Sequence, residues 1–313
     1  MASPDNNDTP GSDIEATIAR LFVYPVKSCA GIDMSEVVLY DTGLDYDRAW
    51  MVVDAEGVFV SQREQPRLAL VTPQFRRGEL ILRAPGMLAL HVNLDGVEGA
   101  VKVEVWDDQV PAYDMGDTAA QWFTDFLSLT EAGLPGAGAA KMRLVRFDPE
   151  HNRLASKKWT GTVDAPYQFA DGFPLLVTST ASMEALNAKL AAVGHAAVGV
   201  ERFRPNIVLA GLQAHDEDRL QSYRIATSDT ASGHQGPPEV ALKPCKPCAR
   251  CSVPNVNPAT GTPSPEVNDT LQTYRANAQM DGAITFGMNA IIESGVGATL
   301  RVGQKVSGRF KFD

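Results

Sequence analysis

Short apolar runs follow one another closely through the first third of the chain, and Gly, Pro or Asp separates each run from the next. Six of these runs are rich in β-branched or aromatic residues: 18–25, 48–53, 58–62, 68–73, 79–85 and 101–106. In the last run Val101, Val103 and Val105 alternate with polar residues, which is the pattern of a half-buried strand. Strands at such close spacing are typical of a β-barrel or a β-sandwich.

The apolar spacing then becomes helical. Trp122, Phe123 and Phe126 share one face behind a candidate cap at Asp117 or Thr118, so residues 117–129 are predicted to form an amphipathic helix. The second half again alternates predicted strands with surface helices. Its predicted strands are 143–147, 206–211, 223–227, 239–243, 283–292 and a strand, turn and strand over 300–306, and its predicted helices are 182–190 and 269–276.

Residues 130–141 (TEAGLPGAGAAK) are rich in Gly, Ala and Pro and are the predicted boundary between two domains. This stretch lacks the Lys-Ser/Thr ending of a phosphate loop and is interpreted as a linker. The acidic first residues lack the basic start and apolar run of a secretory signal. We therefore predict a mainly β fold with α-helices (α+β), made of a disordered tail (1–16), an N-terminal β-barrel-like domain (17–134) and a second β-barrel domain (140–309) with peripheral helices.

The charge balance narrows the possible partners. The chain has 313 residues, with 28 Lys plus Arg against 38 Asp plus Glu, and a formal net charge of −10. Binding to a nucleic-acid backbone requires clustered positive charge, so we expect no nucleic-acid partner. No apolar window approaches the length of a membrane span, and four cysteines do not make a disulfide framework. We expect a cytoplasmic protein without a membrane partner.

Three of the four cysteines lie within residues 245–251, among several prolines. Their C-x2-C-x2-C spacing resembles the start of an iron–sulfur run, but an asparagine follows where the pattern needs a fourth ligand, and no Cys or His completes a zinc site. A redox pair at Cys245/Cys248 or Cys248/Cys251 stays open, although prolines disfavour the helix start that activates such thiols. The prolines predict a stiff, irregular loop that presents one sulfur, and Arg250 would favour the thiolate of Cys251.

Basic residues recur where predicted strands meet turns, although the chain is acidic overall. They are Lys27 beside Ser28, Arg48, Arg63, Arg67, and Arg204 near Asn206. Arg and Lys forks beside small hydrogen-bonding side chains suit a phosphorylated or otherwise anionic cofactor. The alternative is that each cation pairs with an acidic residue on a solvated surface, and the residues alone leave both interpretations open.

Several long motifs, in collinear order from about residue 18 to residue 306, resemble a known family. YPVKSCAG, GLDYDRAWMVVD and SQREQPRLALV resemble the N-terminal β-barrel domain that accompanies MOSC domains. FADGFPLLVTSTASMEALN, VERFRPNIVLAG, CARCSVPNVNPATG and FGMNAIIESGVGATLRVGQKV resemble the MOSC domain itself. The pattern is similar to that of the mitochondrial amidoxime-reducing component and its bacterial counterparts.

The resemblance implies a molybdenum–pterin cofactor, Mo-molybdopterin. Cys251 stands at the position of the family's molybdenum ligand, and a soft thiolate suits such a centre. The positions that match those holding the cofactor's phosphate and pterin are Lys27, Ser28, Arg48, Arg204 and Asn206. Ala249 and Arg250 fall where the family's loop also contacts the cofactor, and Asp171, Gly172 and Phe173 match a turn that approaches it.

By the same resemblance, we expect an enzyme that reduces N-hydroxylated compounds, such as amidoximes, hydroxylamines and N-hydroxylated bases, to amines or amidines. Its electrons would come from a separate electron-transfer protein, either a flavin reductase or a ferredoxin-like protein. A second hypothesis is a MOSC sulfur carrier or sulfurtransferase with a persulfide on Cys251 and Cys248 as the resolving thiol. A third is a cofactor carrier without turnover. Cys245 is extra relative to the family pattern and is assigned no cofactor role.

Overall fold

The computed structural model describes residues 12–128, 140–227 and 239–311. Within these ranges strands predominate over helices, so the predicted α+β class is confirmed. Most of the predicted tail and of the predicted linker 130–141 lies outside the described residues. No helix in the described part of the chain is both long and apolar enough to cross a membrane.

Within residues 12–128, ten strands precede the first α-helix. They are β1 (Ile14–Val23), β2 (Ile32–Met34), β3 (Glu36–Tyr40), β4 (Gly43–Leu44), β5 (Trp50–Val53), β6 (Thr72–Arg76), β7 (Glu79–Arg83), β8 (Leu90–Asn93), β9 (Gly99–Val105) and β10 (Asp108–Asp114). The strand predicted over 58–62 is wrong, because only isolated bridges form there. Ser61 instead bonds the Glu64 carboxylate through its backbone N–H and its hydroxyl, which turns the chain out of the ladder.

The run predicted as a strand over 68–73 is also partly wrong. It begins within a 3₁₀ turn at Pro66–Leu70, and only its end belongs to β6. Pro66 stands at the start of this turn, where its fixed φ favours helical geometry and its missing N–H costs nothing.

Most of the remaining elements match predicted ones, but the strand at Leu175–Ser179 and the short helix at Lys157–Thr160 were not predicted, and the helix predicted over 269–276 lies at Glu266–Gln272. The strands are β11 (Arg143–Phe147), β12 (Leu175–Ser179), β13 (Ile207–Ala210), β14 (Leu220–Ala226), β15 (Glu239–Ala249), β16 (Ala276–Asn277), β17 (Ala283–Ser294), β18 (Thr299–Arg301) and β19 (Lys305–Phe310). The α-helices are α1 (Asp117–Ser128), α2 (Lys157–Thr160), α3 (Thr180–Ala192) and α4 (Glu266–Gln272). Short 3₁₀ turns lie at Val200–Phe203, Asp216–Asp218, Val253–Asn255 and Ala278–Met280.

A closed barrel of seven strands organises the second half of the chain. Its order is β12, β13, β1, β19, β14, β15 and β17, and β17 pairs back onto β12. Only the β12–β13 pair among these is parallel. Apolar side chains that alternate along these strands, such as Leu21, Leu209, Ile225 and Leu242, form one buried core. Closure leaves the barrel without a free sheet edge.

The first half forms two smaller sheets around a second core. Their orders are β5-β11-β10-β9 and β6-β7-β8. The apolar face of α1, with Trp122, Phe123 and Phe126, packs against this core as its spacing predicts. The division into sheets does not follow the order of the strands along the chain. β1 is the first strand but pairs with β13 and β19 in the barrel, whereas β11 follows the predicted linker but pairs with β5 and β10. The predicted domain boundaries themselves stay a prediction.

The structure corrects the predicted irregular loop around the cysteines. Strand β15 continues through Ala249, so Cys245 and Cys248 lie in a strand and only Cys251 lies beyond it. The β15–β17 ladder shifts register at three places, two of which adjoin Pro244 and Pro247. Proline cannot donate to a ladder and is tolerated in sheets at such irregularities. The register shifts therefore accommodate the prolines without ending the strand.

Candidate cofactor site

One pocket gathers residues that lie as far apart in sequence as Lys27 and Cys251. The space between its walls, including its mouth, measures about 1140 Å³. Every residue that the family resemblance matched to a cofactor or metal role lines this pocket: Lys27, Ser28, Arg48, Asp171, Gly172, Phe173, Arg204, Asn206, Ala249, Arg250 and Cys251. Their individual roles stay predictions, but the fold brings them to one place. Arg67, the other basic residue at a predicted strand end, does not line the pocket and lies over the Phe126 ring.

Lys27 is buried in the pocket wall and forms an ion pair. Its backbone N–H donates to Trp50 at 2.8 Å, and this bond holds the turn after β1 against β5. Its ammonium group donates to the carbonyl oxygen of Phe169 at 2.8 Å and to the Asp171 carboxylate. Burial lowers the pKa of Lys27, and the charge of Asp171 opposes that shift.

Asp171 is the one carboxylate among the described residues that line the pocket. Besides Lys27, the indole Nε1 of Trp106 donates to its Oδ1 at 3.1 Å. Desolvation by the surrounding protein would raise the pKa of Asp171, but the Lys27 charge and the two hydrogen bonds outweigh it and hold the pKa well below the usual range. Asp171 is therefore ionised at neutral pH.

Arg48 and Arg204 form a pair of cations around one aromatic ring. Each guanidinium carbon lies 4.3 Å from the ring centroid of Tyr24. Arg48 Nη1 donates to the Asp47 carboxylate at 2.5 Å, and its Nη2 donates to the backbone oxygen of Arg204 at 3.0 Å. These contacts hold the two charges close together.

One nitrogen of Arg204 has no partner in the part of the chain that the structure describes. Its Nη1 donates to the carbonyl oxygen of Cys29 at 2.5 Å, whereas its Nη2 is buried and makes no hydrogen bond to any described residue. Burial and the nearby charge of Arg48 lower the pKa of Arg204 to about 10. A buried donor without an acceptor is costly, and an anionic oxygen would both satisfy it and offset the repulsion between the two cations.

The backbone of the pocket is strained at several positions. Ser28, Arg48, Trp106 and Arg204 have φ values of +68°, +53°, +58° and +56°. Side chains other than glycine seldom adopt the left-handed region, and such conformations concentrate at functional sites. Gly172 adopts φ +145° in open space, a conformation that only glycine takes readily. The fold therefore forces several turns of this pocket into unfavourable geometry.

Cys251 is the exposed cysteine of the cluster, and backbone contacts hold its loop. The Asn268 side chain donates to its carbonyl oxygen at 2.9 Å. The preceding Arg250 donates through Nε and Nη2 to Phe286 O at 2.9 and 2.5 Å, and through Nη1 to Phe203 O at 3.0 Å. The Arg250 guanidinium therefore anchors the loop to β17 and to the turn at 200–203.

The other cysteines are less accessible. Cys29 is fully buried in the core around α1, and burial raises its pKa to about 12. Burial also raises the pKa of Cys245 to about 12, and its thiol donates to the Asn289 carbonyl oxygen at 3.4 Å. Cys248 lines the pocket with Cys251, but burial raises its pKa too. Cys251 is thus the thiol best placed to meet a ligand.

Asn206 braces the barrel beside the pocket. It is 2% exposed, its Oδ1 accepts from Leu176 N at 3.0 Å, and its Nδ2 donates to Phe22 O at 3.3 Å. These bonds connect the starts of β12 and β13 to β1. Its side chain therefore has a structural role that sequence resemblance does not reveal.

Several lining residues carry no assigned role in the sequence analysis. The aromatic ones, Phe59 and Trp106, have ring centroids 5.1 Å apart, and the Arg63 guanidinium lies 4.4 Å from the Trp106 ring. Arg202 donates to the carbonyl oxygens of Pro254 and Asn255 at 3.2 Å and so supports the loop after Cys251. The further lining residues include Ser61, Lys246 and Asn289. Of these residues, only Arg63 could be singled out from the sequence, because it is a basic residue at a predicted strand end.

The pocket suits an anionic cofactor. Its described lining contains seven cations, Lys27, Arg48, Arg63, Arg202, Arg204, Lys246 and Arg250, and one anion, Asp171. Its cationic forks, the Arg204 Nη2 that has no partner among the described residues, and the nearby Ser28 match phosphate oxygens. An exposed thiol nearby adds a soft ligand atom. The residues present therefore fit a phosphorylated cofactor whose metal accepts a thiolate ligand.

The chain, with its closed β-barrel and a cysteine beside a cationic pocket, matches two protein families. Residues 15–130 match the MOSC N-terminal beta barrel domain, and residues 164–307 match the MOSC domain. The chain thus belongs to the MOSC proteins that join these two domains, which confirms the resemblance seen in its motifs.

Curated relatives define the family more narrowly. The chain is 33% identical over 268 residues to mitochondrial amidoxime reducing component 2 of Homo sapiens, covering 83% of this chain and 72% of that one. It is 31% identical over 304 residues to mitochondrial amidoxime-reducing component 1 of Mus musculus, covering 93% and 81%. The chain belongs to the family of the amidoxime-reducing components.

Proposed function

We propose that this protein is a molybdenum-cofactor-dependent oxidoreductase that reduces N-hydroxylated compounds, including amidoximes, hydroxylamines and N-hydroxylated bases. The observation that carries the proposal is the meeting of the exposed Cys251 with the unpaired Arg204 Nη2 and the other cations in one pocket. The two relatives are amidoxime-reducing components by name, which supports the substrate class.

The basic residues would hold the cofactor's phosphate. Arg204 Nη2 has no hydrogen-bond partner in the described part of the chain, Ser28 lines the same pocket, and Arg48 adds a second charge beside Arg204. A bound phosphate lowers the repulsion between the two guanidinium groups, which burial otherwise makes unfavourable. Lys27 adds a third buried cation, already paired with Asp171. Asn206 and Arg250 act indirectly, because their side chains hold backbone that surrounds the pocket.

The overall reaction takes up two electrons and two protons, breaks the N–O bond and releases water beside the N–H product. When bound, the molybdenum–pterin group would supply the two-electron redox chemistry, with Cys251 as its soft protein ligand. Asp171 accepts hydrogen bonds in its ionised form, so it is a poor proton donor at neutral pH. Solvent water is therefore the proton source in this proposal.

The electrons come from a separate electron-transfer protein, either a flavin reductase or a ferredoxin-like protein, and the cytoplasm is the proposed location. A supplied reductant can replace that partner in a first test. Reduced viologen with the purified protein should then support reduction of benzamidoxime without any added protein.

The metal and the thiol ligand can be tested together. Protein from a host that makes the cofactor should contain about one molybdenum per chain, and Cys251→Ser should lose both the metal and the reduction of benzamidoxime and 6-hydroxylaminopurine. Cys245→Ser is the matched control, because Cys245 faces a small apolar cluster instead of the pocket. Full activity in Cys251→Ser would refute the ligand assignment.

One observation keeps a sulfur-transfer function as the second candidate: Cys248 lines the same pocket as Cys251. A persulfide on Cys251 could then be resolved by Cys248. The raised pKa of Cys248 opposes this, because attack requires the thiolate. Treatment of metal-free protein with cyanide distinguishes the two functions, since stoichiometric thiocyanate release supports sulfur transfer and no release excludes a persulfide.

A further inference from the structure

An irregularity in β15 determines which side chains of this strand face the pocket. Pro244 pairs with Ala290 and Lys246 pairs with Asn289, so Cys245 is an extra residue in the ladder. A bulge of this kind re-aims the side chains next to it. Cys245 packs into a small apolar cluster, whereas Lys246 lines the pocket. The extra cysteine thus has a structural consequence for its neighbour.

Lys246 differs from the other pocket cations in its lack of a polar partner. Among the described residues its ammonium group makes no hydrogen bond and no ion pair. It lies 5.3 Å from the ring centroid of Trp159 and 5.9 Å from that of Phe173. Lys27, by comparison, pairs with Asp171, and Arg250 donates to backbone carbonyls. Three ammonium hydrogens of Lys246 are therefore free to bind an acceptor in the pocket.

Asn289 adds a second free polar group at the same point. It is the residue directly opposite Lys246 on β17, and it also lines the pocket. Directly opposite residues of an antiparallel pair have neighbouring side chains. No described residue hydrogen-bonds the Asn289 side-chain amide, whose NH2 group can donate. A lysine ammonium and a neutral amide donor side by side suit an anionic oxygen group.

We propose that Lys246 and Asn289 bind a carboxylate or phosphate group carried by the N-hydroxylated substrate. This inference rests on the proposed function and narrows its substrate class to N-hydroxylated compounds with an acidic substituent. In the proposed function a different set of donors, Ser28, Arg48 and Arg204, would hold the cofactor's own phosphate. The aromatic faces of Trp159 and Phe173 keep the ammonium group in place without neutralising it.

Matched substrate pairs test the proposal. The first pair is 4-carboxybenzamidoxime against benzamidoxime, and the second is the 5′-monophosphate of 6-hydroxylaminopurine ribonucleoside against the free ribonucleoside. In the wild-type holoenzyme the anionic member of at least one pair should have the higher kcat/KM, and the pair that responds identifies the anionic group. Lys246→Gln should lower the anionic-to-neutral ratio of kcat/KM about 10-fold, mainly through KM.

Lys158→Gln is the matched control. The Lys158 ammonium also lies 5.3 Å from the Trp159 ring, but Lys158 does not line the pocket, so the substrate ratio should not change. Asn289→Leu should lower the ratio in the same direction as Lys246→Gln. Molybdenum content is measured in each variant, because loss of the metal in Lys246→Gln would assign Lys246 to the cofactor and overturn the proposal.

A binding measurement separates failure of this inference from failure of the proposed function. Calorimetry should show that wild-type holoprotein binds 4-amidinobenzoate more tightly than benzamidine, and that Lys246→Gln removes the difference. The anion site is overturned if the anionic-to-neutral ratios of kcat/KM and of binding affinity are the same in wild type and Lys246→Gln. This holds even if the protein reduces the substrates. If 4-amidinobenzoate binding depends on Lys246 but no N-hydroxylated substrate is reduced, the anion site is supported and the reductase function is rejected.

Discussion

Replacing Arg250 by methionine removes the guanidinium that anchors the Cys251 loop, at nearly constant side-chain volume. Three hydrogen bonds disappear, from Nε and Nη2 to Phe286 O and from Nη1 to Phe203 O. The rings of Phe203 and Phe286 stack with centroids 4.1 Å apart, so the two carbonyls belong to one packed unit. The substitution therefore separates the loop from the barrel wall without opening a large cavity.

The size of the effect follows from these bonds. A hydrogen bond that involves a charged group contributes about 1.5–3 kcal/mol, and bonds that share an acceptor are not additive. We therefore expect a loss of about 3 kcal/mol in the free energy of unfolding. For a folded unit of about 150–250 residues this corresponds to a melting temperature lower by roughly 6–12 °C.

Thermal denaturation followed by circular dichroism measures the loss, and elemental analysis of the same samples measures the molybdenum content. Arg250→Met should lower both, since Cys251 adjoins Arg250 in the chain. Arg250→Lys keeps the charge but cannot reproduce the planar fork, so it should recover less than half of the lost stability. A melting temperature within about 2 °C of wild type, with full molybdenum content, would refute the anchoring role.

Three further predictions concern Asn206, two of the cysteines and His215. Asn206→Leu should cost about 2 kcal/mol, read from denaturant unfolding, because it leaves Leu176 N and Phe22 O without their partners; an unchanged midpoint would contradict the bracing role. In metal-free native protein, iodoacetamide should modify the exposed Cys251 well before Cys29, which is buried and has a pKa of about 12. Mass spectrometry measures the labelling, and equal labelling of the two cysteines would contradict their difference in exposure. Burial and the charge of Arg275 lower the pKa of His215 from 6.5 to about 4, so its contribution to stability is complete above pH 6.5 and is lost as the pH falls towards 4. His215→Asn, which tolerates the left-handed backbone at this position, should flatten the pH dependence of the melting temperature over that interval, and an unchanged slope would exclude His215 as its source.

Much of the secondary structure could be predicted because its signals are local. The alternation of Val101, Val103 and Val105 corresponds to β9, and the helical spacing around Trp122 corresponds to α1. The failures are also local in origin. At 58–62 the Glu64 carboxylate accepts the Ser61 backbone N–H in place of a ladder partner. At 68–70 the proline at 66 begins a 3₁₀ turn that an apolar run does not reveal.

The site was predictable only in part. Motifs spread along the chain pointed to the residues that line the pocket, but their spacing says nothing about which polar atoms are already used. Contacts decide that Arg250 and Asn206 bind backbone groups, whereas Arg204 Nη2 and the Lys246 ammonium have no hydrogen-bond partner among the described residues. Trp106 carried no assigned role, since an exposed aromatic at a hairpin turn has no distinctive pattern.

The sequence by itself determined the α+β class, the family and the candidate ligand Cys251, because side-chain period, turn residues and long motifs are properties of the chain read in order. Only the tertiary structure decided that β1 closes a barrel built mainly from the second half and that β15 runs on through its prolines. Strand pairing and register depend on partners distant in sequence, and one extra residue changes the face that a side chain occupies. For that reason the bulge at Cys245, and with it the position of Lys246 in the pocket, could be found only in the folded chain.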